Sequence, residues 1–143
     1  MNRERAFSAV LFNGKIVMVK VVETNKTFWT LPGGGVEAGE SREQAAIREA
    51  LEEVNLDINI VRLLFKRNYA SGIEFCYLAE PKDNQRIHIE IGYDPELGHD
   101  EQVLKEVKWI EIDKVKEDLH VSMVIESLNR EEILKYNVNV SSS

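Results

Sequence analysis

The stretch Gly33 to Leu56, GGGVEAGESREQAAIREALEEVNL, constrains this chain more than any other. Glycine admits positive φ and lets backbone approach a ligand closely. Pro32 fixes its own φ and pushes Leu31 toward an extended shape. A strand is therefore expected to end near Leu31, with a bare-backbone turn at the glycines. Ser41 is a good N-cap residue, and Gln44 three places on completes a capping box. A helix is predicted over Arg42–Val54, with Asn55 as its left-handed C-cap.

Side chains on that helix turn by about 100° per residue. Ala46 and Ala50 form its apolar side, with Ile47, Leu51 and Val54 less central. Glu49, Glu52 and Glu53 fall within an arc of roughly 100°. Carboxylates so close repel one another and weaken the helix. Mg2+ or Mn2+ removes that penalty, because hard cations take oxygen ligands. Arg48, one turn before Glu52, can brace a carboxylate at i,i+4. Periodicity alone favours an ordinary solvated acidic face.

The longer pattern does not. Gly34 is followed after five residues by Glu40, and seven residues later come Arg48 and Glu49. Ala50, Leu51, Glu52, Glu53, Val54, Asn55 and Leu56 complete it. This resembles the Nudix box, G-x5-E-x7-R-E-U-x-E-E-x-G-U, with U a bulky aliphatic residue. Trp29-Thr30-Leu31-Pro32-Gly33-Gly34 looks like the usual lead-in. Two positions depart: Ala50 for a bulky aliphatic, which implies a tighter helix–sheet contact or a smaller core, and Asn55 for glycine, tolerable at a left-handed cap. A motif with this many fixed positions is far more specific than a short glycine pattern.

The resemblance implies an α/β protein, an α/β/α sandwich with a mixed central sheet. It implies a metal-dependent hydrolase (Mg2+ or Mn2+) that cleaves a pyrophosphate bond in a nucleoside diphosphate linked to another group. A nucleoside triphosphate or modified nucleotide of the MutT-like kind is the expected substrate, since other accessory signatures are missing. An ADP-ribose or nucleotide-sugar pyrophosphatase is the alternative, as is a nucleotide-binding module without catalysis. By the resemblance Glu52 and Glu53 are metal ligands, and Glu49 is a ligand or the general base. The Gly33 carbonyl is an extra ligand. Glu40 orients Arg48 or the loop as a supporting residue. A later loop carboxylate often adds a ligand or the base. Glu101 matches that place best, with Asp100 and Glu106 as rivals.

The 143 residues suit a single domain, expected over 1–136 with a polar tail at 137–143. One cysteine, Cys76, excludes an internal disulfide framework and suits a reducing, cytoplasmic setting. It reads as a small buried hydrophobe. No apolar run approaches membrane-spanning length, so no membrane partner is expected. The formal net charge of −7 argues against a stable nucleic-acid partner. It leaves a phosphorylated small-molecule substrate open, because bound cations can invert a site's sign. A homodimer is left open.

Along the chain, Arg5–Phe12 and Lys15–Val22 read as buried strands joined by an Asn13-Gly14 hairpin turn. Phe28–Leu31 reads as a short strand, with Trp29 in the core. Asp57–Tyr69 and Ile73–Ala79 read as strands around an Ala70-Ser71-Gly72 turn. Ile87, Ile89 and Ile91 alternate with His88 and Glu90 as a half-exposed strand. Gly92–Gln102 is an acidic, turn-rich loop. Glu106–Ile112 follows as a strand. Asp113 is expected to cap a short helical turn, and Ser122–Leu134 to form one closing amphipathic helix.

Overall fold

A computed structural model describes residues 3–82 and 104–139. The proposed strand at Ile87–Ile91 and the loop carrying His99, Asp100 and Glu101 lie outside the described residues. The strands are β1 (Arg3–Phe12), β2 (Lys15–Glu23), β3 (Lys26–Thr30), β4 (Gly33–Gly35), β5 (Ile58–Tyr69), β6 (Gly72–Pro81) and β7 (Leu104–Glu111). The helices are α1 (Arg42–Val54), α2 (Ile112–Val115), α3 (Leu119–Ser127) and α4 (Arg130–Lys135). This is the expected α/β architecture, a mixed sheet with helices on both faces.

The hairpin forms where Asn13-Gly14 demands it. Both residues have positive φ, 47° and 78°, as a type I′ turn requires. The pair then parts after Leu11↔Ile16 and Phe12↔Lys15. Beyond this point β1 runs parallel to β6 from Arg3↔Gly72 to Val10↔Ala79. β2 instead takes β3 and β7 as antiparallel neighbours. The sheet therefore splays between β1 and β2, and β4 fills the gap by pairing with β1.

Alternation along β1 distributes the core. Ala6 and Val10 pack under α1, with Ala46, Ala50, Val54 and Leu56. Phe7, Ala9 and Leu11 face the other way, toward Val121 and Val124 of α3, Tyr136 and Val138. A central strand buried on both faces is expected to be apolar on both, and residues 6–11 are buried without a break, Ser8 being the one polar residue among them. Cys76 of β6 joins this core, as expected, and burial pushes its thiol up. Ala50 is fully buried in the contact between α1 and the sheet.

Three expectations need correction. Gly33–Gly35 is not a turn but a strand, antiparallel to β1 through Arg5↔Gly35, Ala6↔Gly34 and Phe7↔Gly33. Its glycines serve close approach rather than positive φ. A Cβ on Gly33 would sit 2.3 Å from the Phe7 ring and 2.5 Å from the Ala6 carbonyl oxygen. The expected closing helix is two helices. Asn129 caps α4 through a capping box with Glu132, and this local signal ends α3 at Ser127. Asp113 lies inside the first turn of α2 and Glu111 is its N-cap, without a side-chain bond. Asp118 instead caps α3, accepting from the Val121 N–H at 3.1 Å.

The ends of α1 match the sequence reading. The Gln44 N–H donates to Ser41 Oγ at 3.0 Å, and the Ser41 N–H to Gln44 Oε1 at 2.8 Å. Asn55 closes the helix at φ 58°, ψ 38°. Asn55→Gly should therefore leave stability unchanged or raise it slightly. Asn55→Val should cost about 1–2 kcal/mol, read as a lower urea midpoint at constant m-value.

Arg62 ties β5 to α4. Its Nε and Nη2 donate to Glu132 Oε2 and Oε1, both at 2.7 Å, and Nη2 also reaches the Ser127 carbonyl at 2.7 Å. The Arg62 hydrogen bond holds the Glu132 carboxyl below its ordinary range. A depressed carboxyl stabilises above its unfolded value, about 4.3, and loses that contribution as pH falls through the folded value. Glu132→Gln keeps an acceptor for the Asn129 N–H and removes the charge. It should lower stability by about 1 kcal/mol at pH 7. The gap from wild type should close as pH falls below about 4, followed by thermal unfolding across pH.

Candidate functional site

Among the described residues β4 pairs with β1 alone, and its free edge organises the site. In an antiparallel ladder a residue's N–H and C=O point to the same side, and the side alternates along the strand. Gly34 faces its partner Ala6 across the ladder, so Gly33 and Gly35 present their polar groups away from β1. Side chains of α1 meet them there. The Gly33 N–H donates to Glu53 Oε1 at 2.8 Å, and Arg48 Nη2 donates to the Gly35 carbonyl at 3.0 Å. Without side chains on β4, the helix can come this close. A Cβ on Gly34 would lie 2.7–2.9 Å from the Glu49 carboxylate.

Arg48 is fully committed within the protein. Its Nε donates to Glu40 Oε2 at 2.7 Å, and Nη2 to Glu40 Oε1 at 3.0 Å. Its Nη1 donates to Glu49 Oε1 at 2.8 Å and to Glu52 Oε1 at 3.1 Å. Bidentate and charge-assisted bonds of this kind are the strong ones. The Glu40 carboxyl is held below its ordinary range, first of all by this fork. Arg48 is raised by the same pairing, so it stays charged. Glu37 lies further out, 3.7 Å from the Arg48 Nε.

Glu49 and Glu53 are half-buried and face each other. Burial pushes the Glu49 carboxyl up, with Arg48 opposing. Glu53 is pushed well above its ordinary value, by burial first and then by the Glu49 charge. Two neighbouring acids whose ionised forms are disfavoured by burial are relieved by a nearby cation.

An all-carboxylate donor set suits a hard divalent cation. Among the described residues, no group of three or more His, Cys, Asp or Glu side chains forms a ready metal cage. Nudix hydrolases use divalent ions of this class, and the residues present fit one.

The structure thus brings Gly33, Glu40, Arg48, Glu49, Glu52 and Glu53 together. Glu101 and Asp100 lie outside the described residues, and Glu106 is on β7, paired with Lys20 at 3.8 Å and Lys108 at 3.2 Å. The sequence reading missed the Gly35 carbonyl as the seat of Arg48. The register of the third glycine against β1 was the only signal for it. Among the described residues no helix is long and apolar enough to cross a membrane.

The chain was compared with known proteins. The family model described as NUDIX domain matches residues 2–126. The chain is 31% identical over 131 residues to an RNA pyrophosphohydrolase of Wolbachia pipientis wMel, covering 74% of this chain and 73% of that protein. An RNA pyrophosphohydrolase of Baumannia cicadellinicola subsp. Homalodisca coagulata is 40% identical over 58 residues, 41% of this chain and 35% of that protein. The chain spans about a third of the length of the first curated relatives it matches. A crystal structure of a MutT Nudix hydrolase from Burkholderia pseudomallei superposes with a TM-score of 0.68 at 20% identity. That match covers 90% of this chain and 99% of the other, and it concerns the fold. The box that binds α1 to the glycine strand, the mixed sheet and the match over most of the sequence agree: this chain belongs to the Nudix family.

Proposed function

We propose that this protein is a metal-dependent pyrophosphohydrolase acting on a nucleoside diphosphate linked to another group. A nucleoside triphosphate or a modified nucleotide is the leading substrate class. One observation carries the reading: Glu49, Glu52 and Glu53 are gathered at the free edge of β4, Glu53 on the Gly33 N–H and Glu49 and Glu52 on Arg48, where a cation would relieve their mutual repulsion.

In this reading Glu52 and Glu53 hold Mg2+ or Mn2+, and Glu49 is a further ligand or the general base. The Gly33 carbonyl opens onto the same edge as its N–H and is available as another ligand. Glu101 is kept as an additional ligand or base. A bound divalent ion supplies charge neutralisation on the phosphoryl oxygens and a more acidic water. Arg48 binds no substrate here. It fixes Glu49 and Glu52 against the backbone of β4, and Glu40 holds Arg48 in plane.

Relatives named RNA pyrophosphohydrolase add an RNA bearing a 5′ triphosphate to the substrates worth testing. A nucleotide-binding module without turnover is the reading to exclude. The net charge of −7 goes with a small substrate brought in with its cation rather than a stable nucleic-acid partner.

A panel of nucleoside triphosphates, nucleotide sugars, ADP-ribose and triphosphorylated RNA, each with magnesium, manganese or chelator, tests the reading. Phosphate or pyrophosphate release that chelator abolishes is the expected result. Tight binding without release would make the protein a sensor. On the best substrate, Glu53→Gln and Glu52→Gln should each lower kcat by more than about a hundredfold at saturating magnesium, with circular dichroism unchanged. Full activity in both variants would overturn the ligand assignment.

Gly34→Ala separates helix position from ligand chemistry. The three atoms nearest the added Cβ all belong to the Glu49 carboxylate, the end of a side chain rather than backbone. The fold should hold while kcat falls at least about tenfold, since an ångström of displacement at a site is costly. Wild-type turnover in a folded Gly34→Ala protein would show that the Glu49 position is immaterial.

A further inference from the structure

Glu4 ties two parts of the proposed site together. Its carbonyl accepts from the Val36 N–H at 3.0 Å, one residue past the end of β4. Its carboxylate takes both arms of Arg42, the first residue of α1, with Nε donating to Oε1 at 3.2 Å and Nη2 to Oε2 at 2.7 Å. One residue of β1 therefore holds both ends of the loop 37–41. That loop carries Glu40, the carboxylate that keeps Arg48 in plane. The Arg42 guanidinium also lies 4.0 Å from the centre of the Phe75 ring, which seats its stem on β6.

The helix needs such a hold at this end. Its first half gives only Ala45 and Ala46 to the buried contact with Ala6, Phe75 and Tyr77. Long side chains interlocked as ridges and grooves fix a helix against its neighbour. Two methyl groups on a flat sheet leave it room to slide and tilt. The last half is better anchored, through Val54 and, just beyond it, Leu56 and Ile58. The acids lie between these ends. Glu49 sits so close to β4 that a Cβ on Gly34 would be 2.7 Å from its Oε2, and Glu53 accepts from the Gly33 N–H at 2.8 Å. A tilt of α1 about its C-terminal end would carry Glu49, and the Arg48 that holds it, away from the glycine strand.

We infer that Glu4 and Arg42 are a positioning pair: the fork between them closes the loop 37–41 and sets how α1 presents Glu49 and Glu53 to the glycine strand. Both act through the helix rather than on substrate. Their side chains are partly exposed, 38% for Glu4 and 44% for Arg42, and an exposed ion pair adds little to global stability. The effect of the pair is therefore local. Its consequence for turnover rests on the pyrophosphohydrolase reading; its consequence for the geometry does not.

The test uses Glu4→Gln, which keeps the main-chain bond to Val36 and drops the charge, Arg42→Met, which keeps an apolar stem over Phe75, and the two combined, all in the full chain. Hydrogen exchange of the Gly33 amide, followed by NMR, reads the bond to Glu53 without any substrate. Each single variant should speed that exchange by about fivefold or more, while the melting temperature stays near wild type. On the best nucleotide kcat should fall by about three- to tenfold, with KM near wild type. The double variant should be no worse than the poorer single one in either measurement, because both substitutions break one link. A pair that only stabilised the fold would lower the melting temperature and leave the Gly33 amide as protected, relative to the rest of the sheet, as in wild type.

Unchanged Gly33 exchange in folded Glu4→Gln and Arg42→Met proteins overturns the inference, and so do losses that add in the double variant. If Arg42→Met does not fold, Glu4→Gln decides on the same measurements. Faster Gly33 exchange in the variants of a protein that cleaves nothing on the panel counts against the enzyme and for the pair.

Discussion

The structure turns on the free edge of a three-residue glycine strand. A strand with one neighbour leaves a row of N–H and C=O groups that must find partners. Here they find them in a helix. The Gly33 N–H takes Glu53 and the Gly35 carbonyl takes Arg48. Everything else in the site is a consequence of where these two bonds hold α1. Glu49 and Glu52 are fixed by Arg48, and Glu40 fixes Arg48 in turn. Side chains on β4 would push the helix off the edge and return its acids to water.

That edge exists because the sheet splays. β1 and β2 share only the last rungs of their hairpin and then part to different neighbours. The gap is too narrow for a full strand with side chains, since a Cβ on Gly33 would strike both Phe7 and the β1 backbone. Glycine fits where larger residues do not. The buried alanines of α1, Ala45, Ala46 and Ala50, bring the helix to the sheet by the same logic. Ala50 stands where the family pattern has a bulkier residue, and it makes that contact tighter.

Local rules made much of this legible from sequence. Caps, turns and periodicity act over a few residues, so Ser41, Gln44, Asn55 and the Asn13-Gly14 turn could be read directly. The acids of α1 could be placed on one face because a helix has a fixed period. What escaped depends on partners distant in sequence. Whether three glycines turn or extend is decided by β1, at Phe7↔Gly33, Ala6↔Gly34 and Arg5↔Gly35, far back in the sequence. The break between α3 and α4 did have a local signal, Asn129 with Glu132, but the apolar run through Leu128 masked it.

The electrostatics explain why such a site is worth its cost to stability. Glu49 and Glu53 side by side in partial burial cost stability, and Arg48, spread over Glu40, Glu49, Glu52 and the Gly35 carbonyl, relieves only part of that cost. What remains is a deficit of positive charge beside an edge that carries no side chains. A divalent cation bound to a polyanion would supply it, and a protein that paired these acids with further arginines would be more stable and would have less to offer a substrate.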